Sequence, residues 1–303
     1  MTEPILDFHT HAQNVYGMCC VPPPLRPVAK YGLAKLYEKT GFNPALKKAE
    51  SPLSMQLIVR EVQSRFATFD FDDYLKGMAA NGVTHACALP VEPMASTSEL
   101  LAKCKGHPNI IPFASVDFDS GSDVVEQLQR HLAAGCRGLK LHPIMQHFEL
   151  TDPRLLAIFE FLSREAPELP VIFHTGRMHY FLGAREENPE AADPVKLLPI
   201  VKRFSKQPIV FGHMGLLADS KEAMRIAEEH ANVYLEISFQ PLQVVREAIA
   251  RLGSERLLLG SDWPASETKT EISIVRKATQ GDKQAERNIL FDNGARLVGL
   301  ASA

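Results

Sequence analysis

Short apolar runs rich in valine, isoleucine, leucine and phenylalanine recur along the chain, each followed by a longer amphipathic stretch. The runs fall at Pro4–Phe8, Val83–Leu89, Ile110–Val116, Gly138–Leu141, Val171–Phe173, Ile209–Phe211, Val233–Ile237 and Arg256–Leu259. They show little polar alternation, which is how strands buried on both faces of a parallel sheet read. Between them the apolar period becomes helical. In Ser122–Ala134 the residues Val124, Val125, Leu128 and Leu132 repeat at helical spacing. Asp152–Arg164 opens with an Asp-Pro start signal and carries Leu155, Leu156, Ile158, Phe159 and Leu162 on one face. Ala218–His230, Leu242–Leu252 and Glu271–Ala278 continue the series. Such alternation implies βα units with right-handed crossovers, and eight repeats predict a (β/α)8 TIM barrel spanning 1–303 as a single domain. The rival, a doubly wound sheet, wants a glycine-rich phosphate turn after the first strand, and none follows here.

One segment breaks the rhythm. Between the first strand and the helix near Phe71–Ala80 lie residues 12–70, beginning with Val21-Pro22-Pro23-Pro24 and continuing through helical stretches around Ala29–Lys39 and Leu53–Phe66. A helical insertion of that length after a barrel strand belongs over the C-terminal mouth, where βα loops build the site. It reads as a lid that shapes the substrate space, with a dimer-forming excursion as the bland alternative. The tail Gln280–Leu300 reads as helices closing the barrel.

Composition acts by exclusion. The 303 residues are 45% hydrophobic and 23% charged, which is globular usage. The formal charge is −3 and the mean hydropathy −0.10, so no global field recruits nucleic acid or an anionic membrane. No apolar run approaches the ~20 residues of a membrane span, and the opening Met1–Asp7 lacks the features of a signal peptide. Five cysteines, without a CxxC pair, point to a reducing cytoplasm and away from a thiolate zinc site.

The candidate chemistry gathers at strand ends. Asp7-Phe8-His9-Thr10-His11 ends the first strand, and residues two apart on a strand share a face, so His9 and His11 aim two imidazoles at one point. Alone, such a pair is equally a hydrogen-bonded structural feature. Lys140 and His142 end the fourth run, His174 the fifth, His213 the sixth and Asp262 the eighth. The chain has only 11 histidines, and five of them stand at the face where barrel enzymes build their sites. Arg177, three residues past His174, is a candidate carboxylate clamp. Trp263 reads as packing under the site and Glu236 as a supporting carboxylate.

These motifs, Gly138-Leu139-Lys140-Leu141-His142-Pro143, Phe173-His174-Thr175-Gly176, Gly212-His213-Met214-Gly215, Gly260-Ser261-Asp262-Trp263-Pro264 and the closing Asn293-Gly294-Ala295-Arg296-Leu297, together with the HxH, resemble the amidohydrolase superfamily. The similarity is to the amidohydrolase-related branch that includes aminocarboxymuconate semialdehyde decarboxylase. It covers nearly the whole chain and is far more specific for the family than for a substrate. The resemblance implies that His9, His11, His174 and Asp262 bind one divalent metal, zinc first, with His213 beside it as general acid/base or polarising donor. Asp262 would also accept a proton during attack. Binuclear superfamily members carry a carboxylated lysine on the fourth strand, so a second metal on carboxylated Lys140 stands as the alternative. As an ordinary ammonium, Lys140 would instead bind substrate with His142 and Arg177. The implied activity is a metal-dependent hydrolase using activated water on an amide or lactone of a small, carboxylate-bearing substrate. The alternative is a metal-dependent non-oxidative decarboxylase of an unsaturated or aromatic acid. His9 tilts the choice toward hydrolysis, because some decarboxylases of the branch carry glutamate there. A non-catalytic barrel is disfavoured by the presence of all four ligands. The expected partners are a small-molecule substrate and a second copy in a homodimer, in the cytoplasm, with no nucleic acid or membrane.

Overall fold

The computed structural model of the chain describes residues 3–30, 52–216 and 219–300. Strands β1 (Leu6–Thr10), β2 (His85–Ala88), β3 (Ile110–Pro112), β4 (Leu139–Leu141), β5 (Val171–His174), β6 (Ile209–Gly212), β7 (Val233–Glu236) and β8 (Leu257–Leu258) are all parallel to their neighbours. They alternate with helices as the apolar pattern predicts. Helices α1 (Arg26–Ala29), α2 (Pro52–Phe66) and α3 (Phe71–Ala80) follow β1, and α4 (Thr97–Cys104), α5 (Val124–Ala133) and α6 (Pro153–Glu165) follow β2, β3 and β4. Then α7 (Leu198–Arg203), α8 (Ser220–Glu229), α9 (Leu242–Leu252) and α10 (Thr268–Ala278) follow β5 to β8. The Asp-Pro signal works as read: the Asp152 carboxylate accepts from Arg154 N at 2.8 Å, capping α6 with Pro153 in its first turn.

Strands β1–β3 and β4–β8 form two hydrogen-bonded runs. Both seams between them are closed. Ala114 bridges Leu139, and Thr10 bridges Trp263, each in parallel register. Lys140 N donates to Ala114 O and Phe8 N to Leu259 O, both at 2.8 Å. Closure removes the sheet edges and completes the (β/α)8 barrel. The third strand is shorter than its apolar run because it ends at Pro112, which has no N–H to give to the ladder.

Period two then decides what faces inward. Leu139, Leu141, Val171, Phe173, Ile209, Phe211, Val233 and Leu235 pack outward in the main core with the helices. Ile172, Val210 and Leu258 fill the barrel interior with Leu6, Phe8 and Phe113. Two residues further along these strands stand His174, Gly212 and Gly260, and Lys140 faces in between its two outward leucines. The bottom of this interior is closed by Phe291, Ala295 and Val298 of the helical tail. Strand β1 departs from strict alternation. Its register against β2 shifts between Asp7 and Thr10, so the consecutive residues Phe8 and His9 both reach the interior.

Of the 12–70 segment, residues 31–51 lie outside the described ones, and most of the stretch expected at Ala29–Lys39 falls among them. In α2, Ile58, Val62 and Phe66 recur at four-residue spacing and are buried, each burial stabilising by ~1.5–3 kcal/mol. They join Val15, Tyr16, Met145, Tyr180 and Phe239 in an apolar cluster, and Phe66 lies 5.6 Å from the His11 ring. Among the described residues no helix is long and apolar enough to cross a membrane.

Candidate active site

Four rings and one carboxylate crowd the C-terminal mouth. His11 Nε2 lies 2.9 Å and His9 Nε2 3.4 Å from Asp262 Oδ1. Donor atoms of His9, His213 and Asp262 all lie within 4.8 Å of one another. The His9 and His213 rings stack at 4.7 Å, and His174 lies 4.8 Å from His213. Both His213 (φ 62°) and Asp262 (φ 57°) sit in the left-handed backbone region, at a cost of ~1–3 kcal/mol each. The strain is held by specific bonds. His213 N donates to Glu236 Oε2 at 2.9 Å, and Asp262 N donates to His9 O at 2.7 Å.

The hydrogen bonds behind the rings fix their tautomers. His11 Nδ1 lies 2.6 Å from Leu89 O, a group that only accepts, so Nδ1 carries the proton and Nε2 presents a lone pair. His9 Nδ1 donates to Glu236 Oε2 at 2.7 Å, with the same result. Ser238 Oγ donates to Glu236 Oε2 at 3.0 Å and therefore accepts from His213 Nδ1 at 2.6 Å, which frees the third Nε2. Carboxylate partners on the far nitrogen are the usual way to orient metal-binding imidazoles. Gly260 makes room for this arrangement, since a Cβ there would stand 2.3 Å from Glu236 Oε1.

Burial dominates the electrostatics. It pushes the His9, His213, His174 and His142 rings well below the ordinary imidazole range, so they are neutral, as ligands must be. It lowers Lys140 to about 8 against the pull of Asp262 and Glu236. Burial also raises Glu236 to about 7, opposed by the donors that converge on it. His11 Nε2 and Asp262 Oδ1 are in contact at 2.9 Å, so a proton or a metal ion lies between them. The donor set fits a divalent metal.

The other expected residues divide. Lys140 Nζ lies 3.2 Å from His9 Nε2 on the cavity floor. His142 stacks on His174 at 4.1 Å and lines the cavity. His174 lines it too, but its Nε2 is engaged by Tyr180 Oη at 2.7 Å and Gly176 O at 3.2 Å. Arg177, expected as a carboxylate clamp, is held elsewhere. Its guanidinium grips Asp219 at 2.6 and 3.2 Å, is 41% exposed, and is not part of the cavity lining. Trp263 packs edge-on against Phe69 and Tyr74. Sequence reasoning passed over Tyr16 and Tyr180, which lie in the irregular mouth segments and line the cavity. Burial pushes both phenols well above their ordinary range, so they remain hydroxyls at neutral pH. Ser238 was legible in principle, because it lies two residues past the inward Glu236.

Neutral imidazoles and a carboxylate at the C-terminal mouth of a (β/α)8 barrel are the setting of a metal-dependent enzyme. The family model described as amidohydrolase matches residues 6–300, and the chain belongs to that family. No curated protein matches the sequence. Among solved structures, the TIM-barrel protein Bb4693 from Bordetella bronchiseptica is similar at 18% identity, covering 98% of both chains with a TM-score of 0.67. The 5-carboxyvanillate decarboxylase from Sphingomonas paucimobilis is 13% identical, over 99% of this chain and 100% of its own, with a TM-score of 0.66. An amidohydrolase from Burkholderia multivorans with bound zinc is 15% identical, over 98% and 99%, with a TM-score of 0.64. At these identities the likeness is one of fold.

Proposed function

We propose that this enzyme is a metal-dependent hydrolase that cleaves the acyl C–N or C–O bond of an amide or lactone, water giving OH to the acyl carbon and a proton to the leaving nitrogen or oxygen. The observation that supports this reading is the convergence of His11 Nε2 and His9 Nε2 on Asp262 Oδ1, at 2.9 and 3.4 Å. His9, His11 and Asp262 would hold one divalent metal, zinc first, as in the zinc-bound Burkholderia protein. His174 would complete the set by exchanging its bond to Tyr180. A metal there supplies Lewis-acid polarisation and lowers the pKa of water toward ~7.

The protein's own groups then handle protons and position. Asp262 accepts a proton at the oxygen facing His11. His213 takes or gives one at Nε2, and the imidazolium so formed is already held at Nδ1 by Ser238, which leans on Glu236. Lys140 reaches the floor as a donor to the substrate oxygen. Tyr16 and the α2 residues Ile58, Val62 and Phe66 line one side of the mouth and would shape the space for the substrate.

A second reading is decarboxylation of an unsaturated or aromatic acid, favoured by the buried Lys140 ammonium, which would hold a single carboxylate beside His9. A screen of zinc-loaded protein against amides, lactones and aryl acids separates the two. A new carboxylate without CO2 is expected. Stoichiometric CO2 release would overturn hydrolysis, and full zinc occupancy in both His11→Ala and Asp262→Ala would overturn the metal assignment.

A further inference from the structure

The cavity above these groups encloses about 650 Å³ of space, its open mouth included. Its chemistry is divided by height. Among the described residues lining it, the only charged ones apart from histidines are Lys140 and Asp262, and both belong to the floor. The wall is apolar. Ile58, Val62 and Phe66 of α2 present one side, and Met178, Leu216 and Phe239 contribute to the rest. The arginines adjacent in sequence to Met178 and Phe66 are already held: Arg177 by Asp219, and Arg65 by Glu61 at 2.7 Å and Ala265 O at 2.8 Å.

We infer that the substrate carries one polar reacting head on an uncharged, apolar body, an alkyl or aryl group, and has no second carboxylate. This rests on the hydrolase reading for the identity of the head and on the wall for the body. Each methylene that leaves water for such a wall contributes ~0.8 kcal/mol. A carboxylate placed there would lose its hydration without a partner, which proteins avoid at a cost of several kcal/mol. Tyr16 and Tyr180 supply neutral hydroxyls between floor and wall, suited to an uncharged carbonyl or ester oxygen.

Binding without turnover tests this. Zinc-loaded full-length protein is titrated calorimetrically with benzohydroxamic acid, its 4-butyl derivative and its 4-carboxy derivative. The butyl compound should bind more tightly than the parent by about threefold or more per buried methylene, and the carboxy compound at least tenfold more weakly. Met178→Arg, at the half-buried edge of the wall, should reverse the order of the butyl and carboxy compounds while zinc content stays at the wild-type level. Val62→Arg repeats the reversal from the opposite element if the first variant fails to fold. Equal or tighter binding of the carboxy compound by wild type overturns the inference, as does binding of none of the three. The hydrolase reading fails separately: apolar preference with no hydrolysis of any amide or lactone sinks that reading and leaves this inference standing. Hydrolysis with preference for dicarboxylates does the reverse.

Discussion

Glu236→Gln is the most informative single change. One carboxylate oxygen accepts from His9 Nδ1 at 2.7 Å, His213 N at 2.9 Å and Ser238 Oγ at 3.0 Å, and the other accepts from Ser238 N at 2.5 Å. Glutamine keeps the shape but offers one acceptor and one NH2. In its better orientation the amide nitrogen faces Ser238 N–H, leaving a buried donor unpaired at a cost of ~1–3 kcal/mol. The remaining donors exchange a charged acceptor for a neutral one, and charge-assisted bonds are about twice as strong. Against this, burial has already pushed the carboxyl up to about 7, so removing the charge returns part of the loss. The net expectation is about 1–3 kcal/mol, a visible share of the ~5–15 kcal/mol of a typical domain. His9 also loses the anion that makes its Nε2 basic, which should weaken zinc binding ~10–100-fold.

Urea titration reads the first effect and competition with a chromophoric chelator the second. Gly260→Ala supplies an independent check without removing any polar group. Its Cβ would lie 2.3 Å from Glu236 Oε1 and 2.7 Å from Cγ, so the glutamate must retreat from its donors. The same loss of zinc affinity is expected. Zinc binding within twofold of wild type in both variants would refute the role given to Glu236.

Three further outcomes follow. His213→Ala should keep its zinc and lose ~10²–10⁴-fold in kcat, the worth of a positioned acid/base group; loss of a metal equivalent would make it a ligand instead. Glu271, whose Oε2 has no hydrogen-bond partner among the described residues, is pushed well above the ordinary carboxylate range by burial. The folded state then binds more protons than the unfolded one above that range, so its contribution weakens as pH rises; Glu271→Gln, a mimic of the neutral acid, should raise Tm by ~2–6 °C at pH 8 and not at pH 4, and a Tm at or below wild type at pH 8 would contradict this. Phe66→Ala should raise KM at least tenfold with zinc content unchanged, and an unaltered KM would remove α2 from substrate binding.

How much of this was legible depends on period. The strands and the histidines at the barrel mouth could be read because a barrel strand repeats every two residues and its end is marked by polar side chains such as Lys140, His174 and Asp262. The same rule is only approximate at β1, where the register shift between Asp7 and Thr10 lets Phe8 and His9 face inward together. The HxH spacing therefore places both rings at the mouth by a rule that the backbone only partly obeys. The partner of Arg177 was not legible, because sequence distance from His174 says nothing about Asp219, which is 42 residues away and closes on the guanidinium from the next βα loop. A guanidinium satisfies the nearest buried carboxylate whether or not a substrate exists. Tyr16 and Tyr180 were invisible for the complementary reason. They sit in irregular segments where no periodicity assigns a side, and only the folded mouth brings their rings to within 6.1 Å of each other. Period locates what regular elements carry, so it finds the floor of this site. The wall above that floor is built largely by loops and by α2, and its apolar character emerges only when those segments meet.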